Sequence, residues 1–404
     1  MLVLGIFSSL SWYVSQLMPD IFVGVLILSL ANLIWQKNSR ILQIWNSILV
    51  FLACAVHTSH IMLALLILVL MVFIFVLRQP FKKVIVKTSL LFVPVLVAIL
   101  FIMGNQAANG HGFRLSRTSN LFLTGRLADA HLLQPFLYKE CHTQKFPLCD
   151  YEMILPITLD EVLWDQKYSL PVQFGGWEKA DSAVAPMVSY YFSKTKNKLD
   201  FAKAGLINGW KQLGRFQIGD GMTAQGWEDA PTVAIRWRIP RHIQAFINAR
   251  QQTGNLNIHF FQLLQKPIFY VCTFFMAIFS LFLVQRMPEK AAFLGFLILG
   301  LILHAFVMGT FAVALDRYQA RISWLIPLAA LLVILITRKK HLIPKSSGKD
   351  WSGTFLPNWK LEATTLLNEI DAKLLLPPQN GNWIGNHCVR RDKSAVSTLW
   401  FQCQ

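Results

Sequence analysis

Residues 40–78 read RILQIWNSILVFLACAVHTSHIMLALLILVLMVFIFVLR. Between Arg40 and Arg78 no charged side chain occurs in the 37 residues 41–77. As one helix this run would reach about 55 Å, while the apolar core of a bilayer is about 30 Å thick. Its centre, His57-Thr58-Ser59-His60, is polar. The run therefore reads as two membrane helices joined by a tight turn. A chain that can supply such a hairpin is a multi-pass membrane protein.

Working outward, the same reading finds seven apolar segments, at about 21–36, 41–57, 61–77, 84–104, 267–285, 291–313 and 322–337. Several are short for a full crossing, so little tilt, or local thinning of the bilayer, goes with them. The composition agrees. Of 404 residues 54% are hydrophobic and 15% are charged, whereas soluble domains carry about 25% charged residues.

The basic residues orient the segments. Lys37 with Arg40, Arg78 with Lys82 and Lys83, Arg286 with Lys290, and Arg338 to Lys340 occupy alternate connections, all on one side if seven spans are right. Basic short loops stay in the cytoplasm. The opposite side receives Asp20, the His57–His60 turn, the 105–266 segment and Asp316–Arg321.

Net charge is +17, from 38 basic and 21 acidic residues. Residues 105–266 hold 18 basic and 13 acidic residues, leaving 20 and 8 for the rest. The surplus thus lies beside apolar blocks, where it sets topology and meets anionic lipid heads. Nucleic-acid binding is not expected, because no nucleic-acid module is present.

The division that follows is 1–20 as an outer-face interfacial segment, 21–104 as a four-helix membrane part, and 105–266 as a mainly α periplasmic domain. Residues 267–337 form a three-helix membrane part, and 338–404 a loosely ordered cytoplasmic tail. Trp12 and Tyr13 are expected at headgroup level. Residues 180–218 have helical periodicity, and 236–250 reads as a basic, amphipathic interfacial stretch. In the tail only Leu361 to Leu375 is amphipathic. The N-terminus lacks the basic n-region of a secretory signal, so targeting falls to the first span.

Ionisable groups where helices leave a membrane are costly and point to function. Four sets share the outer face: Asp20; His57 and His60; His111, Arg114, Arg117 and Asn120; and Asp316, Arg317, Tyr318 and Arg321. Arginine binds phosphate bidentately, and a carboxylate or imidazole takes a proton from a hydroxyl. Arg114, Arg117, Arg317 and Arg321 are thus candidate ligands of a lipid phosphate, and Asp20, His57 and His60 candidate bases. Each also has a plain structural reading. Asp20 could cap the helix after Pro19, the histidines could be bonded turn residues, and the arginines could anchor a loop to headgroups. His304, inside a span, reads as a packing residue. Cys141 and Cys149 either form a disulfide in an oxidising compartment or stay free thiols. Neither cysteine has zinc spacing, and no phosphate loop, dinucleotide fingerprint or nucleophile elbow occurs. No internal repeat suggests a transporter's duplicated halves.

Leu17-Met18-Pro19-Asp20, Val56-His57-Thr58-Ser59-His60 and Asp316-Arg317-Tyr318-Gln319-Ala320-Arg321 resemble an uncharacterised family of bacterial multi-pass inner-membrane proteins. Ser119-Asn120 with Arg126-Leu127, the Cys141 and Cys149 pair, Val162-Leu163-Trp164-Asp165 and Gly175-Gly176-Trp177 fit it as well. The resemblance covers roughly residues 10–340. That family in turn resembles the GT-C glycosyltransferases. The resemblance implies helices beneath a periplasmic domain and inverting transfer of a sugar from a polyprenyl-phosphate donor to a glycan or lipid acceptor. It implies no cofactor, with a divalent metal left open. One departure stands out: a GT-C enzyme carries its catalytic acid in a first outer loop after an initial span. Here either Asp20 takes that place, or an upstream part is lacking. The alternatives are a non-catalytic envelope protein or truncated remnant, and a transporter or flippase.

Overall fold

The computed structural model describes residues 2–14, 16, 18–35, 39–78, 81–151 and 158–342. The chain divides into two units, Met1–Ser346 and Ser347–Gln404, and all that follows belongs to the first. The Leu361 to Leu375 stretch, Cys388 and Cys403 lie outside the described residues, as does most of the expected tail.

The described residues are helical and contain no strand. After two short helices, Leu2–Phe7 and Leu10–Val14, come four apolar ones: α1 (Phe22–Trp35), α2 (Arg40–Val56), α3 (Thr58–Arg78) and α4 (Phe81–Ala108). Ser39 caps α2 by accepting the Leu42 N–H. Only His57, in extended conformation, separates α2 from α3. The uncharged run quoted above is therefore a helical hairpin that turns at the polar tetrad.

A polar part follows, with α5 (Ser119–Asp129), α6 (Leu133–Glu140), α7 (Trp177–Ser193) and α8 (Thr195–Leu213). Three apolar elements close the described chain: α9 (Ile258–Arg286), α10 (Pro288–Phe311), and α11 (Asp316–Ser323) leading into α12 (Leu325–Leu342). The helical backbone thus runs through Arg338–Lys340, where the tail was expected to begin.

Four helical stretches are long and apolar enough to cross a membrane: Leu91–Ala108, Ile258–Arg286, Pro288–Phe311 and Asp316–Leu335. The other three expected spans correspond to shorter apolar helices, Pro19–Trp35, Arg40–Val56 and Thr58–Ile74.

The apolar helices share one core, which includes Leu26, Ile27, Leu63, Ile67, Leu297 and Ala329. Glycines set its closest approaches. A Cβ on Gly300 of α10 would lie 2.8 Å from Ile27 Cγ2 of α1, and one on Gly24 would lie 2.6 Å from Trp324 Cζ2. Among apolar helices lipid competes equally for apolar faces, so close backbone packing of this kind supplies much of the attraction.

A second core joins α5, α6, α7 and the start of α8 through Leu121, Leu137, Val184, Tyr191 and Phe201. Cys141 and Cys149 are joined by a disulfide there, with Cα atoms 5.6 Å apart. The helix expected over 180–218 is two helices. The chain leaves helical geometry at Lys194, whose ammonium reaches Glu140 Oε2 at 2.8 Å. The expected 236–250 stretch is also interrupted. Pro240 lacks an N–H and disfavours helix at Ile239, so Ala230–Arg238 ends and a short turn leads into Ile243–Ile247.

A small third cluster places Tyr13 against Ile218, Met222 and Ala320. The Tyr13 side chain is therefore buried against protein. Trp12 meets Phe261 edge to face at 4.9 Å.

Candidate functional site

Asp20 sits in the 3₁₀ turn Pro19–Ile21 that opens α1. Proline at the turn's start fixes the backbone where its missing N–H costs nothing. The Asp20 carboxylate makes no capping bond and turns inward. Its Oδ2 lies 2.7 Å from Arg321 Nη1, and its Oδ1 lies 3.5 Å from His57 Nε2. Three segments far apart in sequence thus meet: the start of α1, the α2–α3 turn and α11.

The turn geometry fixes the state of His57. The Ser59 backbone N–H donates to His57 Nδ1 at 3.3 Å, and Ser59 Oγ lies 2.6 Å from the same atom. A nitrogen that accepts an amide N–H carries no proton, so the neutral ring bears its hydrogen on Nε2. That hydrogen points toward Asp20. In this tautomer His57 cannot take a proton at Nε2 and instead presents that hydrogen to the Asp20 carboxylate.

His60 lies 5.2 Å from His57, ring centre to ring centre, and is fully buried. Its Nδ1 is 2.7 Å from the Ala53 carbonyl, which can only accept, so Nδ1 donates. His304 donates likewise from Nδ1 to Gln319 Oε1 at 3.1 Å, while Gln319 Nε2 donates to the Leu301 carbonyl. His304 is the satisfied packing residue that its place in a span suggested. His60 also behaves as a bonded turn residue, locking α3 to the end of α2.

Arg321 is 2% exposed. Besides Asp20 it donates from Nη2 to the Met18 thioether, and its Nε finds no partner. Its guanidinium lies 5.7 Å from the Tyr13 ring and 6.0 Å from the Tyr318 ring. Burial pushes the Tyr13 phenol well above its ordinary value, and its hydroxyl is unpartnered. So Arg321 is no headgroup anchor; it is a buried counter-ion to Asp20.

Arg317 lies one turn back on α11. Its backbone N–H donates to Asp220 Oδ2 at 3.1 Å, and its guanidinium lies 5.4 Å from the Tyr318 ring. Among the described residues no carboxylate stands within ion-pairing distance of that guanidinium. Asp316 accepts the Gln217 N–H at 2.9 Å, and Gln212 bonds both the N–H and the carbonyl of Leu315 at 2.8 Å. Residues 212–222 thereby form a cover fastened over the start of α11. Nothing in the sequence alone pointed to this cover, because each of its bonds has a backbone group on one side and joins segments about a hundred residues apart.

Arg114 and Arg117 go elsewhere. With His111 they converge on Glu178 at the start of α7, at 4.0 Å, 3.5 Å and 3.1 Å from its Oε1. Asn120 binds Asp181 at 3.0 Å. Among the described residues no ion pair or hydrogen bond links this group to Asp20.

Arg126 entered the sequence reading only as part of the resemblance, with no role given to it. It is fully buried on α5 and donates to the carbonyls of Gly309 and Thr310, at 3.1 Å and 3.0 Å, and to Asp129 at 3.1 Å. Those carbonyls belong to the last turn of α10, where helical partners run out. An arginine followed three residues later by aspartate, the two charged residues of that helix, was the available signal.

Among the described residues no three His, Cys, Asp or Glu side chains are grouped to hold a metal ion. Two hollows stand out. One is lined by Leu206, Ile207, Trp210, Lys211 and Phe306, and the other by Ser8, Ser9, Gln265 and Ser323 with neighbouring apolar side chains. Asp20, His57 and Arg321 line neither. Compared with known protein families, with curated proteins and with solved structures, the chain matches none.

Proposed function

We propose that this chain is a seven-span bacterial inner-membrane protein, with residues 105–266 in the periplasm and the C-terminus in the cytoplasm. We propose further that it transfers a sugar from a polyprenyl-phosphate donor to a glycan or lipid acceptor of the cell envelope. The observation that carries this reading is the Asp20 carboxylate held between the His57 imidazole and the Arg321 guanidinium. Three helix ends with no local reason to meet bring together a base and its orienting groups. The alternation of basic connections supports the orientation.

In the reaction, Asp20 takes the proton of the acceptor hydroxyl as its oxygen attacks the anomeric carbon. The bond from that carbon to the phosphate oxygen breaks, and the polyprenyl phosphate leaves with the electron pair. Arg317, on the same helix as Arg321 and outside every ion pair found among the described residues, receives the departing phosphate. Arg321 keeps Asp20 ionised and in place. His57 aims it. Arg114 and Arg117, neutralised by Glu178, have no part in phosphate binding in this scheme.

A second reading is favoured by one observation. Arg321 is 2% exposed, and neither hollow reaches the cluster. On that reading the cluster is a structural strut of a non-catalytic envelope protein.

Lipid-linked glycan profiles of a deletion strain separate the two. The enzyme reading requires a lipid-linked precursor to accumulate, wild-type chain to clear it, and an Asp20→Asn chain present at normal level to leave it. Clearance by Asp20→Asn would leave the strut.

A further inference from the structure

Two buried polar atoms of neighbouring side chains, the Tyr13 hydroxyl and Arg321 Nε, find no hydrogen-bond partner among the described residues. The side chains are 1% and 2% exposed. A buried polar group without a partner weakens a fold, so it is kept for a reason, and binding is one such reason. Both atoms can donate. The charges acting on the Tyr13 phenol are those of Arg321, Asp220, Asp316 and Arg317, so its hydroxyl stands among them. Asp316 and Asp220 are already engaged, accepting the Gln217 and Arg317 N–H groups. What is left over is donor capacity beside two guanidinium groups, and its complement is an oxyanion. Tyr13, Arg317 and Arg321 reach it from different sides, which suits the several oxygens of a phosphate.

The chain over Tyr13 is pinned on both sides of a short turn. Gln262 and Gln265 of α9 bond the backbone of Phe216 and Ile218. Gln251 and Gln252 bond that of Thr223 and Gln225. Between these pins lies Gly219-Asp220-Gly221-Met222, with Met222 packed against Tyr13. Gly219 and Gly221 have φ of +113° and +77°, a backbone that glycine alone adopts freely. The Arg317 N–H ties this turn to α11 through Asp220, and a Cβ on Gly221 would stand 3.8 Å from Arg317 Cδ.

We propose that the 219–222 turn is a flap over a phosphate-binding site made by the Tyr13 hydroxyl, Arg321 Nε and the Arg317 guanidinium. With the flap down the two orphan donors are sealed. The phosphate enters beside Arg317, which is half-buried, and displaces Asp220, a like charge, from the Arg317 N–H. In taking the phosphate as that of a polyprenyl lipid, the assignment rests on the sugar-transfer reading.

The test measures binding to the full chain in mild detergent, with polyprenyl monophosphate, uncharged polyprenol and inorganic phosphate as separate probes. Polyprenyl monophosphate is expected to bind and polyprenol to bind far more weakly. Inorganic phosphate binding as tightly as the lipid, with the same dependence on Tyr13, would keep the site and name free phosphate as its ligand. A hydrogen bond to a charged group is worth about tenfold to a hundredfold in affinity, so Tyr13→Phe should weaken binding by that much. Its melting temperature should stay at or above wild type, because the hydroxyl it loses has no partner; a structural hydroxyl would lower it. Asp220→Asn loosens the flap and removes a like charge, so it should tighten binding severalfold. Hydrogen exchange should quicken at the Arg317 amide when polyprenyl monophosphate is bound and stay unchanged at the Gln217 amide, outside the flap. Equal binding of polyprenol and polyprenyl monophosphate would overturn the proposal. So would affinity unchanged in Tyr13→Phe, or exchange at Arg317 indifferent to the lipid. Tyr13-dependent binding without sugar transfer would sink only the transfer reading, and transfer with binding indifferent to Tyr13 only this one.

Discussion

Arg126→Ala offers the sharpest test of how the polar part is fastened to the apolar helices. The side chain is fully buried, and its three donors each have one acceptor. Removing it strands the Gly309 and Thr310 carbonyls, which stand among the last four of α10 and have no helical N–H to accept. It also leaves the Asp129 carboxylate, 18% exposed, without its counter-ion. Burial already raises the Asp129 pKa despite Arg126, so the loss falls on a group that is reluctant to ionise. A stranded buried carbonyl costs about 1–3 kcal/mol, and breaking a buried pair about 3–5 kcal/mol. Water entering the vacated space offsets part of this, so we expect a loss of about 4 kcal/mol. The assay is thermal unfolding of the purified chain in detergent, followed by tryptophan fluorescence. Arg126→Ala should melt well below wild type. Arg126→Lys should recover only part, because one ammonium cannot span both carbonyls and the carboxylate. A melting temperature within a degree or two of wild type would refute the reasoning.

Three further outcomes are expected. Glu140 is held below its ordinary pKa, first by the hydrogen bond from Lys194 and also by that from Tyr190. It binds fewer protons folded than unfolded, so its contribution is fully present above about pH 5 and is lost as pH falls through the lowered folded value. Unfolding midpoints measured down a pH series should show this loss, and Glu140→Gln should flatten it. Reducing the Cys141–Cys149 disulfide opens a short loop. The chain-entropy relation gives about 2–3 kcal/mol for that loop, visible as a drop in melting temperature with reductant that Cys141→Ser with Cys149→Ser reproduces without it. Gly209→Val should displace α8 from α10, because even a Cβ there would stand 3.0 Å from Phe306 Cα. It should lower the melting temperature more than Ala202→Val on the exposed face of α8, comparable shifts counting against the close approach.

Much of this arrangement was legible in the sequence. The uncharged run from Arg40 to Arg78 with a polar centre read better as a hairpin than as one helix, and the structure turns it at His57. Asp20, His57 and Arg321 could be grouped because each stands at a helix end and the ends alternate sides. The expectation that Arg114 and Arg117 would join them rested on the same sidedness. It missed Glu178, which lies some sixty residues on, beyond the reach of any local pattern. Span lengths were harder. Apolar composition does not show where a helix starts, and Ser39 and His57 limit α2 to 17 residues. The fastening of α8 to α10 was invisible for a related reason. Gly205 and Gly209 look like weak points in a helix until a partner backbone fills the space beside them. The burial of Tyr13 against Ile218, Met222 and Ala320 could not be foreseen, because an aromatic pair near an apolar segment suits a headgroup layer as well as a core.

The central claim is that Asp20, oriented by His57 and Arg321, is the base of a sugar transfer. The most direct measurement is transfer of a labelled sugar from a polyprenyl-phosphate donor by the purified chain in a lipid bilayer disc. Asp20→Asn keeps the shape of the side chain and removes its basicity, so it should lower the rate by about 10²-fold or more, with melting retained. His57→Gln should lower the rate less. Equal transfer by wild type and Asp20→Asn would contradict the account.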